Sequence, residues 1–314
     1  MRRLSTGRSG RWRFCHIGLM TADALRPTRL ADSFTWADAM ASGLTRRQAD
    51  RYAGMRVARG LYGVDDTSRL AAVLGRAGPE AVLCGVTALR LAGVDLPGRL
   101  ARDTRIWIQV PRRQSWPDRP QVRLVRSDMV YPRRMIAGLP CLQLAYCWLQ
   151  LANEASVDEM VELADALTRR QRPITTHRML TEILESSMGR RGLAKARQAL
   201  ALSVEGTDSI PETDMRLLLV RAGLPKPSVN PLVSAGPGSR RFRLDVAYEE
   251  KMVGAEYDGA YHGDPQQMQK DIVRLRMLED WGWRIIRASS ADLYGPNPGV
   301  IVDSVRKALA RVRF

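Results

Sequence analysis

The sequence predicts an α/β protein, and three patterns carry that prediction. Late in the chain, Leu244, Val246 and Tyr248 alternate with Arg243, Asp245 and Ala247, and Val253, Ala255 and Tyr257 alternate with Gly254, Glu256 and Asp258. This is the period-two signature of paired strands. In the middle, short apolar runs at Arg105–Val110 and Gln121–Arg126 precede helical periodicity over Cys141–Leu151, Val157–Thr168, Thr176–Ser186 and Leu193–Leu202. Early on, one helix stops at Gly43 and a second opens at Thr45, a C-cap glycine followed by an N-cap threonine.

Charge names the class of partner. The 314 residues hold 49 Lys+Arg against 33 Asp+Glu, a net charge of +16, and so basic a chain expects a polyanion, most simply nucleic acid. Residues 1–60 concentrate it, with twelve arginines, no lysine and four aspartates. A 45% hydrophobic fraction is ordinary for a globular protein. The four cysteines form no CxxC pair and read as buried free thiols in a reducing cytoplasm, Cys141 and Cys147 sharing one apolar helical run. Three scattered histidines argue against zinc. No apolar run is long enough to span a membrane. Residues 1–30 read as a disordered basic leader, with Met20 an alternative start and no signal peptide.

Taken in order, residues 31–65 read as a small winged helix-turn-helix: helix, glycine turn, basic helix, then a short extended piece with Gly60 at its turn. Arg46, Arg47, Arg51, Arg56 and Arg59 are the expected DNA contacts, clustered where a recognition helix would begin. An ordinary helical hairpin with a solvated basic side is the plainer alternative. Residues 66–203 form a mixed α/β segment in which Ala81–Leu91 reads as an apolar helix. Trp148, Leu149 and Leu151 are core candidates, His177 a structural or exposed residue rather than a ligand, and no catalytic constellation is visible. The composition turns polar at Val204–Ser209, and a domain boundary is placed there.

Residues 207–314 carry the chemistry. Ser209-Ile-Pro-Glu212 is a capping box opening a helix, and strands follow at Val229–Ser234 and in the hairpin. A turn centred on Glu249 and Glu250 pairs positions summing to 499, which sets Asp245 opposite Gly254, with Glu256 diagonal on the same face. Gly254 would leave room for a cation or phosphate, Asp258 shares the face, and the apolar residues take the other. Taken singly, each acid is a solvated strand carboxylate. Together, like charges this close need a cation or raised pKa values, and Mg²⁺ or Mn²⁺ with a phosphate substrate suits them. In the helix after His262, Met268, Ile272, Leu275 and Leu278 form the expected buried stripe. Gln267, Asp271 and Arg274 line another face, which either borders the site or is a polar face closed by an Asp271–Arg274 pair. Trp283–Ala288 is a strand, and a basic helix ends the chain.

Helix, three strands, helix, strand, helix, with Glu212, Asp245 and Glu256 on successive elements, resembles the PD-(D/E)XK nuclease superfamily. The run Glu256-Tyr-Asp258-Gly259…His262…Asp271…Arg274…Gly282-Trp283-Arg284…Arg287 resembles the very-short-patch-repair-like endonuclease domains. That resemblance implies a restriction-endonuclease-like αβββαβα domain, with Asp245 and Glu256 as Mg²⁺ ligands and Glu212 as an outer carboxylate. It also implies His262 as a proton-transfer or phosphate-contacting group. The superfamily's lysine, two residues after the strand carboxylate, is Asp258 here. Charge stabilisation would therefore fall to His262, Arg274 or a second cation, unless activity has been lost. Gly43-Leu-Thr-Arg-Arg-Gln and Arg59-Gly-Leu-Tyr62 resemble, more weakly, the antitoxins of type IV (abortive-infection) toxin–antitoxin systems, which implies promoter binding, repression and a cognate toxin. The expected functions are thus a Mg²⁺-dependent DNA endonuclease or a non-catalytic DNA-binding regulator, with processing of structured RNA ranked last.

Overall fold

A computed structural model describes residues 33–45, 47–49, 55–58, 61–63, 65–115, 120–259 and 265–311. The chain forms two units, residues 1–76 and 77–314.

In the first unit, β1 (Ser33–Thr35) leads into α1 (Trp36–Ala41), and β2 (Met55–Ala58) and β3 (Leu61–Gly63) form an antiparallel hairpin. β3 lies between β1 and β2. The sequence suggested one helix up to Gly43, whereas its first residues, Ser33-Phe-Thr, form β1 by pairing with Gly63, Tyr62 and Leu61. Gly43 closes α1 as expected, at φ +76°, with Leu44 N–H donating to Ala39 O at 2.9 Å. Thr45 caps the next helical residues, 47–49, exchanging hydrogen bonds with Gln48. The unit's last helix, α2 (Asp66–Ala77), opens on a reciprocal Asp65–Ser68 cap that the sequence pattern did not single out.

The second unit begins with β4 (Val82–Leu83), α3 (Gly85–Leu91) and α4 (Gly98–Ala101). Strands β5 (Ile106–Val110), β6 (Val122–Arg126), β7 (Arg133–Ile136) and β8 (Leu139–Leu142) follow, in a five-stranded sheet of order β6-β5-β4-β8-β7. Two expectations are corrected here. Ala81–Leu91 is not one helix, because Val82 and Leu83 pair with Gln109 and Ile108 before Gly85 turns the chain at φ +48° against the Trp107 ring. Cys141 lies on β8 rather than sharing a helix with Cys147, which sits on α5 (Leu144–Leu151). Cys84, Cys141 and Cys147 are buried free thiols.

Helices α6 (Val157–Leu167), α7 (His177–Glu185) and α8 (Leu193–Leu202) follow as the periodicity predicts. Trp148 is fully buried and donates its indole N–H to Met160 O at 2.9 Å. The polar stretch at 204–209 falls inside the second unit. Across it, α9 (Ile210–Arg221) packs on α6 through a buried ion pair in which Arg216 Nη2 donates to Asp165 Oδ2 at 2.8 Å.

The last sheet orders β14-β13-β12-β9. It contains β9 (Ser228–Val229), β12 (Val246–Tyr248), β13 (Val253–Tyr257) and β14 (Arg284–Ala288), while β10 (Leu232–Val233) and β11 (Phe242–Arg243) form a separate hairpin. β13 and β14 are parallel, so the chain between them must cross over; α10 (Pro265–Asp280) is in that crossover. α11 (Ser290–Tyr294) and α12 (Gly299–Ala310) close the fold. Met215 and Leu219 of α9 and Ile301 and Val305 of α12 pack with Val246, Tyr248, Val253 and Ala255. On the opposite side Leu278 and Trp283 pack with Leu244 and Ala247. Fully burying one such aliphatic side chain stabilises by about 1.5–3 kcal/mol. Among the described residues, no helix is long and apolar enough to cross a membrane.

Candidate active site

The site is set by how β12 turns into β13. Glu249–Lys251 form a 3₁₀ turn and Met252 adopts φ +50°. The connection is therefore four residues long, not two, and Val246 faces Ala255, Ala247 faces Gly254 and Tyr248 faces Val253. Pairs sum to 501 rather than 499. A shift of two keeps every side chain on its expected face, so Asp245 and Glu256 stay on one side. It also changes their relation: Asp245 comes one residue beyond the last pair, Val246 with Ala255, and so lies beside Glu256 rather than diagonal to it.

Gly254 plays a different part from the one expected. A Cβ there would meet Leu244 Cδ1 at 2.9 Å and Ile285 Cδ1 at 3.0 Å. Glycine thus lets apolar side chains close over the strand, and leaves no space for a cation. Nor do the apolar residues keep to the other face, because Ala247 and Leu278 form a core on the acids' own side. That face turns polar only toward Asp245 and Glu256.

Asp245 sits between β11 and β12, where the ladder lapses. Its main-chain O accepts from Asn230 N–H at 2.9 Å, and its Oδ2 accepts from Tyr257 N–H at 2.7 Å. Glu256 is gripped by Arg274, whose Nη1 donates to Oε2 at 3.0 Å while Nη2 donates to Oε1 and to Arg243 O. Burial works against the Arg274 charge, and Glu256, Asp271 and Asp245 more than restore it. Glu212 is buried at the start of α9. It accepts from Ser209 Oγ at 2.9 Å, from Asp208 N–H at 3.0 Å and from Asn230 Nδ2 at 2.8 Å. The expected reciprocal capping box is only half formed: Ser209 Oγ accepts from Glu212 N–H at 3.4 Å, while the Glu212 carboxylate takes Asp208 N–H, and its charge also bears on Asp245. Burial pushes the Asp245 carboxyl up to about 7, the Glu212 and Glu256 charges adding to the rise and Tyr257 N–H and Arg274 opposing it.

The helix facing these acids is turned differently from the predicted stripe. Met268 is 65% exposed and Ile272 44% exposed, while Leu278 is fully buried. Asp271, Arg274 and Leu275 are partly buried beside it. The polar face is thus the one laid against the sheet, because Arg274 is drawn to Glu256. Asp258 stays outside the cluster: it is exposed and ion-paired with Arg287 of β14. His262, Arg46, Arg51 and Arg59 lie outside the described residues. Arg47 is exposed, and Arg56 lies on β2. Among the described residues, no group of three or more His, Cys, Asp or Glu side chains is arranged to hold a metal ion. Two facing carboxylates with a surplus of negative charge nonetheless suit Mg²⁺, which takes one or two carboxylates and fills its shell with water and substrate phosphate.

Two contacts have little or no signal in the sequence. Asn230, at φ +48°, joins Glu212 to the strand carrying Asp245; an asparagine between proline-flanked strands was the only local sign. The Asp165–Arg216 pair spans 51 residues and has no local signature.

The chain is 27% identical over 280 residues to two uncharacterized proteins of Mycobacterium tuberculosis, MT2308 of strain CDC 1551 / Oshkosh and Rv2248 of strain ATCC 25618 / H37Rv. Each match covers 86% of this chain and 99% of the relative. No protein-family model matches the chain, and no solved structure matches it.

Proposed function

We propose that the C-terminal sheet carries a divalent-cation-dependent DNA endonuclease centre, brought to DNA by the arginine-rich N-terminal unit. The observation that carries this reading is that the charges of Glu212 from α9 and Glu256 from β13 both bear on the buried carboxyl of Asp245, beside β12, while Arg274 grips Glu256. Asp245 and Glu256 would hold Mg²⁺ or Mn²⁺, which when bound lowers the pKa of attached water and neutralises phosphate charge. Asp245 is the group held between charged and neutral near pH 7, placing it to keep or release a proton as a cation arrives. Glu212 fixes the neighbouring backbone through Asn230. Arg274 orients Glu256 and supplies positive charge beside the scissile phosphate, the task the missing lysine would have served.

The test is nicking of supercoiled plasmid by the purified chain with Mg²⁺ or Mn²⁺. Cleavage by wild type and its loss in Asp245→Ala support the reading; equal nicking by both refutes it.

One observation favours a second reading. Arg274 already engages both oxygens of Glu256, as it would in a nuclease scaffold kept by a DNA-binding regulator, whose partners would be an operator and a cognate toxin. That regulator binds DNA in a salt-sensitive manner, loses binding on Arg46→Ala/Arg47→Ala, and cuts with no divalent ion.

A further inference from the structure

We propose that the β10–β11 hairpin is a DNA-guiding arm, with Arg240 and Arg241 contacting phosphates of the duplex beside the acid centre. The inference rests on the nuclease reading and adds the element that sets the substrate strand in place.

The hairpin has an anchored root and a projecting tip. Leu232 faces Arg243 and Val233 faces Phe242. Val233 is buried with Leu244 and Trp283, and the Phe242 ring stacks on Trp281 with centroids 5.3 Å apart. At the tip, Ser234-Ala-Gly-Pro-Gly-Ser-Arg-Arg241 connects the strands. Gly236 and Gly238 adopt φ +145° and +79°, and a Cβ at either would meet nothing within 4 Å. Ser239 ties the turn by donating from Oγ to Gly236 O at 2.7 Å. The tip is therefore held in shape by its own bonds and stands in open space.

Its charge has no internal use. Arg274, Arg287 and Arg306 each hold a carboxylate, whereas Arg240 and Arg241 are exposed and joined to no acid among the described residues. The root is wired to the site, because Arg243 O accepts from the same Arg274 that grips Glu256. Asp245 follows Arg241 by four residues, so at about 3.3 Å per residue the two lie within roughly 13 Å along the chain. DNA carries one phosphate per ~3.4 Å of axis on each strand, which puts the arm a few phosphates from the bond to be cut. Such a two-stranded ribbon also fits the width of a major groove.

The experiment measures binding of the full-length chain to a duplex of about 30 base pairs, without divalent metal, across a salt series. Each lost phosphate contact lowers the log–log salt slope by about 0.9. Arg240→Ala/Arg241→Ala is expected to lower the slope by roughly 1–2 and weaken binding to all duplexes alike, with Arg240→Lys/Arg241→Lys restoring it. Arg178→Ala/Arg197→Ala, which removes the same charge from α7 and α8, should leave the slope in place. An unchanged slope in the hairpin variant, or an equal fall in both double variants, overturns the assignment. Wild type that binds no duplex overturns it together with the nuclease reading. A hairpin-dependent slope without any nicking removes the nuclease reading alone.

Discussion

Two aspartates beside helix α9, Asp165 and Asp245, are treated in opposite ways by their surroundings. Asp165 is fully buried, and its carboxylate accepts from Arg216 Nη2 at 2.8 Å, Thr213 Oγ1 at 2.9 Å and Val204 N–H at 2.8 Å. The Asp245 carboxylate accepts one N–H, from Tyr257, and is acted on by the charges of two further carboxylates. The first is a polar network in which an opposite charge and two further donors work against desolvation, although burial still holds the carboxyl above its ordinary range. The second is left with more negative charge than its surroundings balance. Buried polar groups kept for structure are satisfied; a strongly perturbed carboxylate among like charges is what a functional site looks like. The difference separates a staple from a centre within one domain.

The largest expected effect breaks the staple. Arg216→Ala leaves Asp165 buried and uncompensated, and should cost about 3–5 kcal/mol in urea-induced unfolding. Below its melting temperature the variant should still nick plasmid, since Arg216 donates to Asp165 and to Leu202 O and to none of the acids of the centre.

Next comes the centre itself. Asp245→Asn should lower nicking by about 10²-fold or more while stabilising the fold at neutral pH. The sign follows from linkage. The folded-state pKa, about 7, lies above the ordinary 3.8, so the folded chain holds a proton that the unfolded chain has released. The Asp245 contribution is fully present below the ordinary value and is lost as pH rises through about 7. At ~1.4 kcal/mol for each tenfold change in proton affinity, this amounts to at most about 4 kcal/mol. Melting temperatures of wild type and Asp245→Asn between pH 4 and 8 should converge at the acid end and separate at the neutral end.

Arg274→Gln sharpens the contrast between clamp and scaffold. Freeing Glu256 should tighten Mn²⁺ binding yet slow nicking about tenfold or more, the usual scale for a group that positions a ligand. A purely structural pair would lower stability and leave the Mn²⁺ affinity where it was. The smallest effect belongs to Arg287→Ala, which removes a half-exposed pair with Asp258 and should change unfolding stability by about 0–1 kcal/mol.

Much of this contrast is legible in the residues alone. Alternation over residues 243–258 predicts the paired strands and puts the acids on one face, a result that survives because the turn is longer by an even number of residues. Register is not legible, since nothing in Glu249-Glu-Lys-Met252 announces a 3₁₀ turn ending at a positive-φ methionine. α10 misleads for a physical reason: Met268 and Ile272 follow the apolar period, but the ion pair of Arg274 with Glu256 decides which side faces the sheet. The run at Ala81–Leu91 is equally apolar as strand or helix, and pairing with β5 decides it. Asp165 looks like one more helical acid, because its partners come from separate, distant stretches of chain.

Thermal unfolding at pH 8, with and without Mg²⁺ and Mn²⁺, tests the under-compensated acid centre most directly. A ligand that binds only the folded state raises its melting temperature with concentration. Wild type should show that rise, and Asp245→Asn should show little or none although it begins from a higher baseline. An identical metal response in the two proteins, or none in either, would contradict a cation site built on Asp245 and Glu256.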